Sequence, residues 1–495
     1  MAENGIGTNR EIMGERTIFC ASTAEGEDYR LCRGRAITIA DGQVAAIADT
    51  PAQVRSPGLF AMPALVNAHD HARPIRSSAF GATGIPLELW LQYLALLPAV
   101  DPYLAAAASL GRSALGGCGA VMVHYTRTNG LTALPQEAAE VARAARDVGV
   151  RIGFAVALKD RNPLVYGPSE AVLAAMPEAA RRTIERRLSN PPPGPADQIR
   201  LVEEVAEAAG SDLVDVQYGP TGVQWCTPEL LEAVAKASAE TGRRVHMHCL
   251  ETGYQRAWAD REFPDGMMTF LKEIGLLGPR LTLAHCTHAR PDELELIAES
   301  GATIAVNTHS NLALKSGIAP VAAMLAAGCN VALGLDGTSF DEDDDAFSEM
   351  RLAFELHRGW GFDETISEPG MLRIAARNGR ASVTGSAAGG VLAAGMPADL
   401  LLLDEAVLDE HRLVAELSPV DQLFAHGRAR HIAELIVAGR SIVTDGRLTG
   451  IDHAALEREL VERFRYGMRD GGPLAAALPA LGTAMRQHFC DPPCC

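Results

Sequence analysis

The chain has 495 residues, 47% of them apolar and 21% charged, which is enough for a packed core with one large domain and a smaller companion. Its 44 Lys and Arg against 62 Asp and Glu give a net charge of −18 with no basic stripe, so neither nucleic acid nor an anionic membrane is expected as a partner. Residues 1–20 lack a continuous apolar stretch and no run long enough to span a bilayer follows, which predicts a soluble, cytoplasmic protein.

Residues 34–49 (GRAITIADGQVAAIAD) alternate apolar and polar around Asp41-Gly42 and predict a β-hairpin. From there to about residue 384, short β-branched runs alternate with Ala-rich helical patterns, the rhythm of βα units around a parallel sheet. Strands are predicted to end near His71, His124, Lys159, Tyr218, His248, His285, Asn307 and Asp336. A helix over 135–148 starts at Pro135 and stops at Gly149, and an Arg-rich helix is predicted around 169–189 inside a long insert. Another over 228–241 has Thr227 as N-cap, Pro228 in its first turn and Gly242 as its stop. Short strands return at 391–404 and 434–448, and 449–495 reads as a helical tail.

The predicted class is therefore α/β. A (β/α)₈ TIM-like barrel is expected over 63–384, a small β-sandwich from 1–62 and 385–450, and a helical tail over 451–495. The ten cysteines include no C-x-x-C pair, and Cys490, Cys494 and Cys495 read as an exposed tail rather than a metal site.

Candidate chemistry sits at the strand ends. ALVNAHDHARP places His69 and His71 two apart, on one side of a strand. In RRVHMHCLETG a second strand ends at His248, with His246 one layer deeper as core or as support, and Glu251 follows on the outgoing loop. LTLAHCTH ends at His285 with His288 beyond it, and VALGLDGTSFDEDDDAF brings Asp336. Histidines and a carboxylate converging on one mouth of a barrel suit a divalent metal, with Glu251 beside it as an acid/base group. His124 and His309 read equally well as substrate contacts or as structural histidines. Phe80, Trp90 and Tyr93 offer a possible apolar wall, with Trp90 a candidate substrate contact. The acidic run 341–345 reads as a solvated loop that caps the next helix.

With PALVNAHDH, HMHCLET, LAHCTH, HSNLALKSGIAP and GLDG in order, the chain resembles the amidohydrolase superfamily, in its cytosine-deaminase-like and triazine-hydrolase-like branch. That resemblance implies a barrel inserted into a small β-sandwich and a catalytic Zn²⁺ or Fe²⁺. It makes His69, His71, His248 and Asp336 the ligands, and gives Asp336 the proton of the attacking water. Glu251 is implied as the proton donor to the leaving group or to a ring nitrogen, and His285 as the residue that orients the hydroxide in single-metal members and can ligate directly in two-metal members. One ion per chain is expected, because VDVQYGP supplies no bridging lysine and Lys159 is the only nearby alternative. One departure is Val306-Asn307-Thr308 before His309, where many deaminases of this branch carry His-Asn-Pro.

The expected reaction is hydrolysis of a non-peptide C–N bond in a small molecule, releasing ammonia or an amine from an N-heterocycle. Amides, ureas and carbamates are the alternative, and a non-catalytic scaffold would lack a ligand or Glu251. A homodimer or higher homo-oligomer is expected. The tail beyond Ala475 holds no chemical group of the site, and its removal is expected to leave the chemistry intact.

Overall fold

The computed structural model describes residues 14–52, 58–161, 164–189, 191–337, 342–414, 416–469 and 472–490. Cys494, Cys495 and Asp341, which the sequence singled out, lie outside them.

Strands β1 (Arg16–Glu25), β2 (Arg30–Ala40), β3 (Gln43–Asp49) and β4 (Leu59–Pro63) open the chain. Eight more follow: β5 (Leu65–Asp70), β6 (Cys118–Tyr125), β7 (Arg151–Leu158), β8 (Val214–Pro220), β9 (Val245–Cys249), β10 (Leu281–His285), β11 (Thr303–Val306) and β12 (Asn330–Leu333). The chain returns to strand with β13 (Leu400–Asp404), β14 (Ile432–Val437), β15 (Arg440–Thr444) and β16 (Arg447–Leu448).

Strands β5 to β12 pair in sequence order, all parallel, with helices between them. The first and last are joined by side chain and backbone: Leu335 N–H donates to Asn67 Oδ1 at 2.9 Å and Asp336 N–H to the His69 carbonyl at 2.8 Å. The barrel thus closes at the residues that carry the candidate chemistry, and the predicted (β/α)₈ architecture is the one observed.

The other eight strands form one sheet in the order β16-β15-β14-β13-β4-β1-β2-β3, drawn from both ends of the chain. Its pleat divides β13 cleanly. Leu400 and Leu402 join Ile18, Ile37, Val44 and Ile436 in the sheet's own core, while Leu401 and Leu403 face the barrel core. Gln43 bridges Pro397, so the two halves of the sheet meet across that core as a small sandwich. Three hairpin turns, Asp41-Gly42, Ala438-Gly439 and Asp445-Gly446, have positive φ at both central residues, as two-residue type I′ loops require. Residues 391–399, expected as strand, are turns; the Val44 amide donates to the Met396 carbonyl at 2.9 Å.

Asp399 ties the sheet to the barrel. Its Oδ2 accepts from Arg380 Nη2 at 2.6 Å and Arg151 Nε at 3.1 Å, and its Oδ1 from the Ala438 amide at 2.7 Å. Burial alone would raise its pKa, but Arg380 and then Arg151 hold it below the ordinary value. The interaction is therefore complete above the unfolded aspartate value of about 3.9 and is withdrawn as pH falls below it. Asp399→Asn should destabilise the fold by about 3–5 kcal/mol at neutral pH, because Arg380 is left buried without its counter-charge. Urea unfolding checks this, and the gap between variant and wild type should shrink toward pH 3.

Helix Pro228–Thr241 is capped as expected: Thr227 Oγ1 accepts from the Leu230 amide and Gly242 ends it at φ 74°. The expected helix over 169–189 is instead two, Glu170–Ala174 and Glu178–Leu188, because Pro177 cannot continue the first. The acidic run is only partly solvated, which corrects the reading of a solvated loop. Asp345 caps helix Ala346–His357, but Asp344 is buried against Arg112, with Nε to Oδ2 at 3.4 Å. The tail forms helices His453–Gly467 and Gly472–Cys490. No helix of the described residues is long and apolar enough to cross a membrane.

Candidate active site

Strand exits on one face of the barrel bring His69, His71, His248, His285 and Asp336 together, and several residues at these exits hold a strained backbone conformation. Ala72, Leu250, His285, Cys286 and Asp336 all have φ between 47° and 75°, at the ends of β5, β9, β10 and beyond β12. Outside tight turns, non-glycine residues hold such values where surrounding contacts over-determine them, and such residues cluster at functional sites.

Four imidazoles meet here, fully or almost fully buried: His69, His71, His248 and His285. His71 Nδ1 lies 2.7 Å from the His124 carbonyl oxygen, and His248 Nδ1 lies 2.6 Å from that of Thr221. A carbonyl only accepts, so both Nδ1 atoms carry the proton and both Nε2 lone pairs face inward. Those two Nε2 atoms are nevertheless 3.3 Å apart. Neither can donate to the other, and the arrangement calls for a cation between them. About 3.3 Å is the edge of a tetrahedron whose metal–nitrogen bonds are 2.0–2.1 Å.

The remaining donors complete the picture. His69 Nδ1 is 2.7 Å from His246 Nε2, and His285 Nδ1 is 2.8 Å from Asn311 Oδ1. The Nε2 atoms of His69 and His285 are then buried with no hydrogen-bond partner among the described residues. Asp336 Oδ1 lies 3.1 Å from His71 Nε2 and 3.5 Å from His69 Nε2. Ligand atoms of His69, His285 and Asp336 lie within 4.8 Å of one another, as do those of His69, His124 and His248. Orphaned inward nitrogens beside a carboxylate, each ring fixed from behind, are the donor set of a divalent metal centre.

Asp336 has further partners that the sequence did not reveal. Arg73 Nη1 donates to its Oδ1 at 3.2 Å, and Ser310 Oγ donates to its Oδ2 at 2.5 Å. Burial would raise this carboxyl, but the Arg73 charge and the contacts with His69 and His71 hold it well below the ordinary range. Glu251 goes the other way. Burial, then the charges of Asp336 and Glu88, push its pKa well above that of a free carboxylate. Its Oε2 lies 3.7 Å from His285 Nε2, and Ser316 Oγ donates to its Oε1 at 3.4 Å. Two carboxyl groups driven apart in this way form an acceptor and a donor of protons. Burial also depresses His69, to about 3, which keeps its ring neutral and free to ligate.

A cavity of about 310 Å³ opens over this cluster, bordered by His71, His248, Glu251, His285 and Asp336. Trp90 lines it, with Arg73 stacked 4.6 Å from its ring centre, whereas Phe80 and Tyr93 pack behind in an apolar cluster with Leu314. His124 and His309 do not border it. His124 is fully buried with Nε2 3.1 Å from the Gly219 carbonyl, and His309 pairs through Nδ1 with the buried Glu349. His246 supports His69 from behind, and His288 is turned to the Ser316 carbonyl at 2.7 Å. Glu88 was also missed: its Oε1 accepts from Thr252 Oγ1 at 2.7 Å and Tyr166 OH at 3.1 Å. Its only sequence signal was a charge beside Trp90 on a short helix.

Residues 60–442 match the amidohydrolase family. The chain belongs to that family. It is 29% identical over 440 residues to a 5-methylthioadenosine/S-adenosylhomocysteine deaminase of Nitratidesulfovibrio vulgaris, covering 87% of this chain and 92% of that one. An 8-oxoguanine deaminase of Pseudomonas aeruginosa is 30% identical over 404 residues, 80% of this chain and 84% of its own. Among solved structures, a zinc-bound adenosine deaminase of Xanthomonas campestris superposes with a TM-score of 0.74 at 23% identity, over 91% and 98% of the two chains. A mutant of the atrazine chlorohydrolase of Arthrobacter aurescens gives 0.74 at 21% identity, over 90% and 99%. This amidohydrolase is thus a metal-dependent hydrolase built on the barrel described above.

The tail bears on the site in a way not expected from its sequence. Helix Gly472–Cys490 packs Leu478, Leu481 and Met485 against Leu164, Val165 and Ile184, which back the cavity wall, and Phe489 stacks on Tyr254 at 4.3 Å. Deleting residues 472–495 should leave metal content unchanged yet raise KM about 10- to 100-fold, since small displacements of a binding wall have effects of that size. Steady-state kinetics with metal analysis of the same preparation checks it.

Proposed function

We propose that this amidohydrolase is a deaminase, hydrolysing an exocyclic C–N bond of an N-heterocycle and releasing ammonia. The observation that carries the reading is the cluster of inward-facing imidazole nitrogens beside Asp336, with Glu251 3.7 Å from His285 Nε2 at its border. The names of the curated relatives, deaminases of nucleosides and of 8-oxoguanine, support it.

His69, His71, His248 and Asp336 would hold one Zn²⁺ per chain, and Fe²⁺ is the alternative the same donors accept. The ion supplies Lewis acidity, which brings the pKa of water close to neutrality. Asp336 accepts the proton of the attacking water, and Arg73 and Ser310 fix the carboxylate for that role. His285, anchored by Asn311, orients the water toward the ring carbon. Glu251 then gives its proton to the departing nitrogen, so that ammonia rather than an amide anion leaves. No lysine stands at the exit of β8, in keeping with one ion.

The proposal extends to a cytoplasmic homodimer or higher homo-oligomer acting on a small molecule, and light scattering of the purified chain checks the assembly. A panel of aminopurines, aminopyrimidines, aminotriazines, amides, ureas and carbamates, scored for ammonia and amine, tests the reaction. Ammonia from at least one amino-heterocycle is the expected result. Turnover confined to amides, ureas or carbamates would overturn the deaminase reading.

A further inference from the structure

The catalytic cavity has a second chemical feature besides the imidazole cluster. Lys159, just past the end of β7, and Arg187, on helix Glu178–Leu188, both line it. Neither has an acidic partner within ion-pair distance among the described residues.

Sequence neighbours explain why. On helix Glu178–Leu188 the two acids are taken by Arg182, which contacts Glu178, and by Arg181, 3.6 Å from Glu185. Arg187 is left over and faces the cavity. Asp160, adjacent to Lys159, is spent on Thr227, accepting from its amide at 2.7 Å and its hydroxyl at 2.5 Å. The three carboxyl groups of the cavity wall are likewise occupied or remote. Glu88 holds Thr252 and Tyr166, while Glu251 and Asp336 belong to the catalytic cluster. Both side chains keep access to solvent while lining the cavity. Two like charges facing one cavity are stabilised by an anion between them, and a guanidinium with an ammonium suits a group with two or more anionic oxygens.

We propose that Lys159 and Arg187 form an anion subsite in the wall of the catalytic cavity, so that the substrate is a heterocycle carrying a carboxylate or phosphate group. The subsite stands on the two side chains alone; that the anion is attached to an amino-heterocycle rests on the deaminase reading.

The test uses full-length, metal-loaded protein at constant ionic strength, titrated with inorganic phosphate and with benzoate while the fluorescence of the cavity-lining Trp90 and Trp225 is followed. Wild type should bind at least one probe. The Lys159→Met/Arg187→Met double variant should bind it at least tenfold more weakly at unchanged metal content and melting temperature. The single variants Lys159→Gln and Arg187→Gln, at solvent-accessible positions, serve if the double variant does not fold. The tighter probe assigns the group as phosphate or carboxylate. No binding by wild type, or equal binding by the variants, which would put the anion on the metal centre, overturns the proposal. Probe binding at the subsite without ammonia release from any heterocycle would retire the deaminase reading and leave the subsite intact.

Discussion

Glu251→Gln should lower turnover by about 10²- to 10⁴-fold, the usual contribution of a positioned acid/base group. The substitution is close to isosteric, and burial already pushes the pKa of this carboxyl well above the ordinary range. Gln can still donate a hydrogen bond, but it cannot transfer a proton to the departing nitrogen. Glu251 lies beside His285 and outside both ligand groups, so bound metal and melting temperature should match wild type. Single-turnover kinetics, metal analysis and thermal unfolding of one preparation measure all three. A variant with near wild-type turnover, or one that loses its metal, would assign Glu251 a different role.

His69→Ala should abolish stoichiometric metal binding and with it the activity. His69 is wholly buried, backed by His246, with its Nε2 aimed into the cluster and 3.5 Å from Asp336 Oδ1. Loss of a residue that merely supports a ligand typically costs 10- to 100-fold in metal affinity, and loss of the ligand itself should exceed that. The Ala variant also leaves Asp336 facing one fewer nitrogen and opens space inside the barrel, so its melting temperature should fall. Elemental analysis after dialysis decides the matter: an ion retained at one per chain would remove His69 from the ligand set.

The barrel was legible because its signals are local. Each strand is a short apolar run closed by a polar residue, each well-capped helix has its own Thr, Pro or Gly punctuation, and the chemical residues stand at strand exits. The supporting residues were not legible because their partners are distant in sequence. Arg73 finds Asp336 across 263 residues and Glu88 finds Thr252 across 164. Asp344 looked solvated in a run of acids until Arg112, 232 residues away, closed on it. The break at Pro177 was written in the sequence and was overridden by the helical charge pattern around it. His124 and His309 show the limit of strand-end reasoning, since being near the mouth does not decide whether a ring borders the cavity or is tied to a neighbour below it. The tail's contact with the cavity wall depends on how two remote helices dock, which no local pattern encodes.

The most direct test of the metal-centre assignment is ammonia release from a responsive amino-heterocycle before chelation, after chelation, and after return of one equivalent of Zn²⁺ or Fe²⁺. The account predicts that release disappears with the metal and is restored at one ion per chain. Release that survives complete removal of the metal, or that returns only at two ions per chain, would contradict it.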